Sequence, residues 1–259
     1  MTAHEPAPAS ESPRPPPRRS IYLLPNLFTT GGLFAGFYAI IAAANGDFTS
    51  AAIAVFIAGL LDGLDGRIAR LTNTQSEFGV QYDSLADLVS FGMAPALVMY
   101  HWSLSTLSYH GPVWAKVGWA VAFLYAACAA LRLARFNTQV GVVDKRWFIG
   151  LASPAAAGSM MAFVWAATKF GYGGADLEFV ALGVTVVAAL LMVSRLRYHS
   201  GKALPFGERV PFVVILGALG LFVALAVAPD RVLLAVFGLY ALSGPLGWAI
   251  GRLRRRSAG

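Results

Sequence analysis

Charge is what this chain has least of. Asp, Glu, Lys and Arg together make up only 13% of its 259 residues, where a soluble domain carries about a quarter. Hydrophobic residues make up 57%, and the mean hydropathy is +0.63. Such a composition excludes a soluble globular protein and points to an integral membrane protein whose apolar surface faces lipid and neighbouring helices. Cysteine is nearly absent: Cys128 stands alone in an apolar run, which excludes a disulfide within the chain and leaves it a packing role. With four histidines and one cysteine, no Cys/His cluster is spelled out for zinc. A cleavable signal is also missing, because residues 1–19 (MTAHEPAPASESPRPPPRR) are rich in Pro, Ser and charge and have no apolar centre. They read as a disordered cytoplasmic tail.

What the chain does have is apolar runs near the roughly 20 residues that a bilayer crossing needs. They fall at 21–44, 48–69, 84–105, 113–133, 150–169, 177–194, 210–228 and 231–250. The expected fold is all-α, a polytopic bundle of about eight transmembrane helices. With both termini inside, only Lys116, Lys169 and Arg231 of the 20 Lys and Arg lie outside. That asymmetry is the positive-inside pattern and expects both termini on the cytoplasmic side of the inner membrane. It also accounts for the net charge of +7 without nucleic acid. Trp102, Trp114, Trp147 and Trp248 fall near proposed span ends, as interfacial aromatics do. His101, Tyr109 and His110 fall on the outer side and His199 in an inner loop, with no evident catalytic partner. Gly31, Gly32 and Gly36, with the Ala-rich runs at 126–130 and 155–157, suit close helix packing.

Against this apolar background, the acidic residues between 62 and 87 (DGLDGRIARLTNTQSEFGVQYDSLAD) are conspicuous. Asp62 and Asp65 are spaced i,i+3, and Asp83 and Asp87 i,i+4, so on helices each pair shares a face. Two such helices facing one another across a short connection bring four carboxylates together. Unneutralised, these would repel, and divalent cations with a preference for oxygen resolve the repulsion. Carboxylates at membrane depth are costly and mark function. Gly66 allows close approach beside Asp65, Arg70 lies one turn further on, and Gly79 fits the start of the second helix.

The spacing D-x2-D-G-x2-A-R-x8-G-x3-D-x3-D resembles the signature of the CDP-alcohol phosphotransferase family. The resemblance implies a six-helix catalytic core. It also implies transfer of a substituted phosphate from a CDP-linked lipid to an alcohol, with release of CMP. It assigns Asp62, Asp65, Asp83 and Asp87 as ligands of two ions, Mg²⁺ or Mn²⁺, and Asp87 also as general base. Gly66, Arg70 and Ser76 match contacts to the CDP part, as does the stretch Pro25, Asn26, Leu27 and Phe28. Asn26 reads equally as a helix cap beside Pro25. The segments 21–40, 82–96, 130–139 and 145–158 resemble the bacterial membrane-integral branch that uses CDP-diacylglycerol and serine. Ala152, where that branch usually has proline, and Gly201, where an aromatic is common, depart from its pattern. A serine acceptor carries a carboxylate and an ammonium, for which Arg132, Arg135 and Asn137 are the candidates. Lys145 and Arg146 lie on the same inner face, and Ser153 and Pro154 either shape that pocket or start a helix.

The expected organisation is a tail over 1–19, a catalytic membrane domain over 20–200, two further transmembrane helices over 201–251 and a basic cytoplasmic tail over 252–259. The resemblance also implies a homodimer. Two other readings compete. One keeps the chemistry but takes glycerol 3-phosphate or an inositol phosphate as acceptor. The other is a cation-coupled transporter, which explains buried acids but not the fixed Gly66, Arg70 and Gly79.

Overall fold

A computed structural model describes residues 23–71, 76–138, 147–199 and 212–257. The expected tail over 1–19 lies outside the described residues, as do Lys145, Arg146, Gly201, Lys202 and Arg209. Helices make up nearly all of the described chain: α1 (Leu23–Ala44), α2 (Phe48–Leu71), α3 (Glu77–Asp87), α4 (Ala94–Trp102), α5 (Pro112–Thr138), α6 (Ser153–Lys169), α7 (Glu178–Val193), α8 (Phe212–Val227) and α9 (Pro229–Ser257). The strands are β1 (Trp147–Ile149) and β2 (Arg197–His199), a short antiparallel ladder with Phe148 opposite Tyr198.

Among the described residues, five stretches are long and apolar enough to cross a membrane: Asn26–Ala44, Phe48–Ile68, Pro112–Thr138, Gly174–Val193 and Pro229–Arg252. Between α3 and α4 the backbone continues through a π-helical turn, Leu88–Met93, so 77–102 forms one rod. With α6 and the shorter apolar α8, this gives the all-α polytopic bundle expected from the hydropathy. Two boundaries move. The third rod begins at Glu77 rather than 84, because Ser76 caps a polar first turn that hydropathy does not register. The last helix runs to Ser257 and takes up most of the stretch expected as a basic tail, since Arg and Leu are good helix formers.

Small residues set the packing. α1 presents Ala35, Ala39, Ala42 and Ala43, and α2 presents Ala51, Ala52, Ala54, Val55 and Ala58, all buried. With no long side chains between them the two backbones approach closely, as membrane helices must when hydrophobicity alone does not drive them together. The turn joining them uses Gly46 at φ 82, and Asp47 Oδ1 accepts from the Ser50 backbone N–H at 3.0 Å to cap α2. Those hydrogen bonds from Ser50 hold the Asp47 carboxyl below its usual range. α6 is the central helix, with Ala156, Ala157, Met160, Met161 and Val164 sealed from outside. α9 packs on it where Gly158 makes room for the Phe237 ring; a Cβ there would sit 2.4 Å from that ring. α8 buries no residue and leans on α9. Phe34, Phe37, Ile57, Trp119, Phe123 and Leu190 point outward, forming an apolar exterior suited to lipid.

At the end of the bundle away from the aspartates, a 3₁₀ turn over Leu104–His110 joins α4 to α5. There His110 Nε2 meets Glu178 Oε1, and Thr106 Oγ1 donates to Glu178 Oε2 at 2.9 Å. His110 thus has a carboxylate partner in the fold.

Candidate active site

α2 and α3 present their acidic side chains to a common point at one end of the bundle. One carboxylate oxygen from each of Asp62, Asp83 and Asp87 lies within 4.8 Å of the other two. Three carboxylates this close repel strongly in a medium of low dielectric unless protons or a cation intervene. An all-oxygen donor set of this size and spacing fits Mg²⁺, Mn²⁺ or Ca²⁺ and is a poor match for softer metals. Asp65 lines the same cleft, and its Oδ2 accepts from Thr29 Oγ1 at 2.7 Å. All four aspartates singled out from the sequence thus line one cleft, with Asp62, Asp83 and Asp87 forming the group within 4.8 Å. Thr29, Gly32, Ala58 and Ser90 complete the lining of the cleft. Thr29 was not singled out from the sequence; its only signal was a hydroxyl one turn after Pro25-Asn26.

The residues matched to the CDP part lie on the elements that carry the cleft: the start of α1, the last turns of α2 and the start of α3. Pro25, Asn26, Leu27 and Phe28 lie in the first turns of α1. Because α1 begins at Leu23, Asn26 is inside the helix and is not its cap; its carbonyl accepts from Thr30 Oγ1 at 2.7 Å. Ser76 is the N-cap of α3 and accepts from the Gly79 backbone N–H at 3.0 Å. A Cβ on Gly79 would lie 3.2 Å from Ser76 Oγ and 3.7 Å from Asn26 Oδ1, so these three residues form one corner. Gly79 does sit at the helix start, as its position in the sequence implied. Around Gly63 and Gly66 a Cβ would meet nothing within 4 Å, so the surface beside Asp62 and Asp65 is open to a ligand. Arg70, in the last turn of α2, is exposed near that opening.

The acceptor candidates divide. Arg132 points inward from α5. Its NH1 donates to Ser153 Oγ at 2.9 Å, and its buried Nε has no hydrogen-bond partner among the described residues. It lies within electrostatic reach of Asp87, Tyr125 and Tyr240. Asn137 instead faces α3, where its Nδ2 donates to Ser84 Oγ at 2.9 Å. Arg135 is half-buried on the last turn of α5, and its carbonyl accepts from Thr138 Oγ1. Ser153 and Pro154 open α6, so the helix-start reading holds for both. Just before them Gly150, at φ 79, donates to the Leu196 carbonyl, and a Cβ there would lie 2.3 Å from the Met192 carbonyl. The segment leading to Ser153 is thus fixed against the end of α7.

A carboxylate trio with the donor set for a divalent ion thus lies on two helices of an apolar bundle, beside Gly63 and Gly66. The family profile for CDP-alcohol phosphatidyltransferase matches residues 22–193, and the chain belongs to that family. It is similar to three proteins named CDP-diacylglycerol–serine O-phosphatidyltransferase. The one from Helicobacter pylori J99 is 38% identical over 90% of this chain and 93% of its own length. The Mycobacterium leprae protein is 35% identical, over 82% of this chain and 71% of its own. The Bacillus subtilis protein is 31% identical, over 69% of this chain and 91% of its own.

Proposed function

We propose that this protein transfers the phosphatidyl group of CDP-diacylglycerol to the hydroxyl of L-serine, yielding phosphatidylserine and CMP. The observation that carries the reading is the convergence of Asp62, Asp83 and Asp87 beside the open surface at Gly66. The relatives' shared name supports serine as acceptor. Asp62, Asp65, Asp83 and Asp87 would hold two divalent ions, Mg²⁺ or Mn²⁺, which when bound neutralise the pyrophosphate and the charge developing on the attacking and leaving oxygens.

The chain's own residues do the rest. Asn26, Ser76, Gly66 and Arg70 hold the cytidine diphosphate end at the mouth of the cleft, with Arg70 on phosphate. The serine oxygen attacks the phosphorus that carries the diacylglycerol, and the bond from that phosphorus to the CMP oxygen breaks. Asp87 takes the hydroxyl proton, within hydrogen-bond reach. Arg132 meets the serine carboxylate, which gives its unpartnered Nε an acceptor. Arg135 and Asn137 border the same approach, with Asn137 steadying Ser84 next to Asp83. The site faces the cytoplasm from the inner membrane, and two copies of the chain associate. The expected division into a catalytic domain over 20–200 and two added helices belongs to this proposal.

The test is CMP release by purified protein from CDP-diacylglycerol, with serine, glycerol 3-phosphate and inositol 1-phosphate supplied separately. Release with serine alone is expected. Release with another alcohol would retain the chemistry and replace the acceptor. Cation uptake into proteoliposomes with no CMP release would overturn the reading in favour of transport. With serine established, Arg132→Lys should raise the KM for serine about tenfold or more, because the side-on guanidinium geometry is lost. The KM for CDP-diacylglycerol should stay within twofold.

A further inference from the structure

The hydrogen-bond ladder of the third rod changes period directly after Asp87. Leu88–Met93 is π-helical, and the backbone N–H of Ala94 reaches back five residues to the Val89 carbonyl. Pro95 supplies a local cause: it has no N–H, and its ring clashes with the carbonyl four residues earlier, that of Phe91. Phe91 is only 2% exposed, so its carbonyl is cut off from water and requires a partner. The partner comes from another helix. Tyr125 on α5, wholly buried, donates its hydroxyl to the Phe91 carbonyl at 3.1 Å.

The same turn is gripped from the opposite side. Ser90 Oγ donates to the Gly32 carbonyl of α1 at 3.1 Å. At Gly36 a Cβ would lie 2.7 Å from the Ser90 Cα, so α1 and the π turn are in backbone contact. The π turn is therefore clamped between α1 and α5, one residue beyond Asp87 and five beyond Asp83.

We infer that Tyr125 is a positioning residue for Asp83 and Asp87. Its hydroxyl holds the π turn, the π turn sets the rotation and depth of α3 against α2, and that sets the gap between Asp87 and Asp62. Tyr125 acts through the turn and has no place in the reacting atoms. π turns inside α-helices are found frequently at functional sites, in line with this assignment. The inference rests on the reading of Asp62, Asp83 and Asp87 as a divalent-cation site, and the experiment keeps the two apart.

Mn²⁺ binding to the purified full-length protein is measured by the loss of the free-ion paramagnetic resonance signal, alongside CMP release against Mn²⁺ and serine concentration. The variants are Tyr125→Phe, Pro95→Ala, the two combined, and Asp87→Asn. Losing one buried hydrogen bond should raise the Mn²⁺ half-saturation of Tyr125→Phe by about tenfold and lower kcat by a similar factor. The KM for serine should stay within twofold. In Pro95→Ala the restored N–H gives the Phe91 carbonyl an intrahelical donor, so adding Tyr125→Phe to it should change Mn²⁺ half-saturation by less than threefold.

Equal loss in both backgrounds would overturn the inference, as would Mn²⁺ binding and kcat unchanged in Tyr125→Phe. If Tyr125→Phe does not fold, recovery of a folded, Mn²⁺-binding protein in the combined variant supports the inference, and no recovery overturns it. Wild-type protein binding Mn²⁺ no better than Asp87→Asn would instead remove the cation site itself.

Discussion

At the scale of single residues, the aspartates differ in what surrounds them, and so should their variants. Asp87 converges with Asp62 and Asp83 and lies within electrostatic reach of the cation Arg132. Asp87→Asn should leave the fold intact and lower kcat by at least about 10²-fold, the usual worth of a positioned base; CMP release and a thermal melt check both halves. Asp62→Ala should weaken the response to metal, and an unchanged Mg²⁺ titration would count against it as a ligand. Gly66 gives a different kind of expectation. A Cβ there meets nothing within 4 Å among the described residues, so Gly66→Val should barely alter the melting temperature. It should still raise the KM for CDP-diacylglycerol about tenfold, since the open surface is where that ligand must lie against the helix. The aspartates and Gly66 were legible in the sequence because their chemistry and spacing are local. Thr29 and Tyr125 were not. Each owes its role to a partner more than thirty residues away, and a hydroxyl in an apolar run carries no mark of where it will point.

At the scale of elements, the hydropathy runs located the helices because a bilayer crossing has a fixed length. They missed where the third rod begins. Residues 76–83 (SEFGVQYD) are polar enough to read as a loop, yet Ser76 caps them and they project the acidic face of α3 into the site. The interface of α1 with the rod carries its own prediction. Gly36→Ala would push a Cβ into the Ser90 backbone, which cannot move aside as a flexible side chain would. Forcing these helices apart should destabilise the protein by about 1–3 kcal/mol, the usual range for overpacking. The cost should appear in urea unfolding monitored at the tryptophans, with a parallel loss of Mn²⁺ affinity, because Ser90 adjoins the carboxylates.

At the scale of the whole molecule, the polar chemistry is separated into two ends. The aspartates, Arg70, Arg132 and Arg135 occupy one end, and His110, Glu178 and Thr106 occupy the other. Which end meets the cytoplasm is open to direct measurement, because the protein's own thiol is buried: Cys128 is 6% exposed and should label slowly. In inverted inner-membrane vesicles, Glu77→Cys should react with a membrane-impermeant maleimide and Tyr109→Cys should not. In intact spheroplasts the pattern should reverse. The charge asymmetry that motivates this expectation was visible in the sequence, as a bias spread along the whole chain. The proposed association of two copies has no such trace beyond family resemblance.

The π turn after Asp87 also leaves a mark that can be read without any protein in hand. A π turn is an α-helix holding one residue more than its ladder needs, here in the stretch between Leu88 and Met93. Suppose a related chain lacks that residue. Its helix would run straight through, the carbonyl at the Phe91 position would find its donor four residues on, and proline could no longer stand at position 95. A single-residue gap within 88–93, the loss of proline at 95 and the loss of tyrosine at 125 should therefore occur together, as one evolutionary event written at three places in the chain.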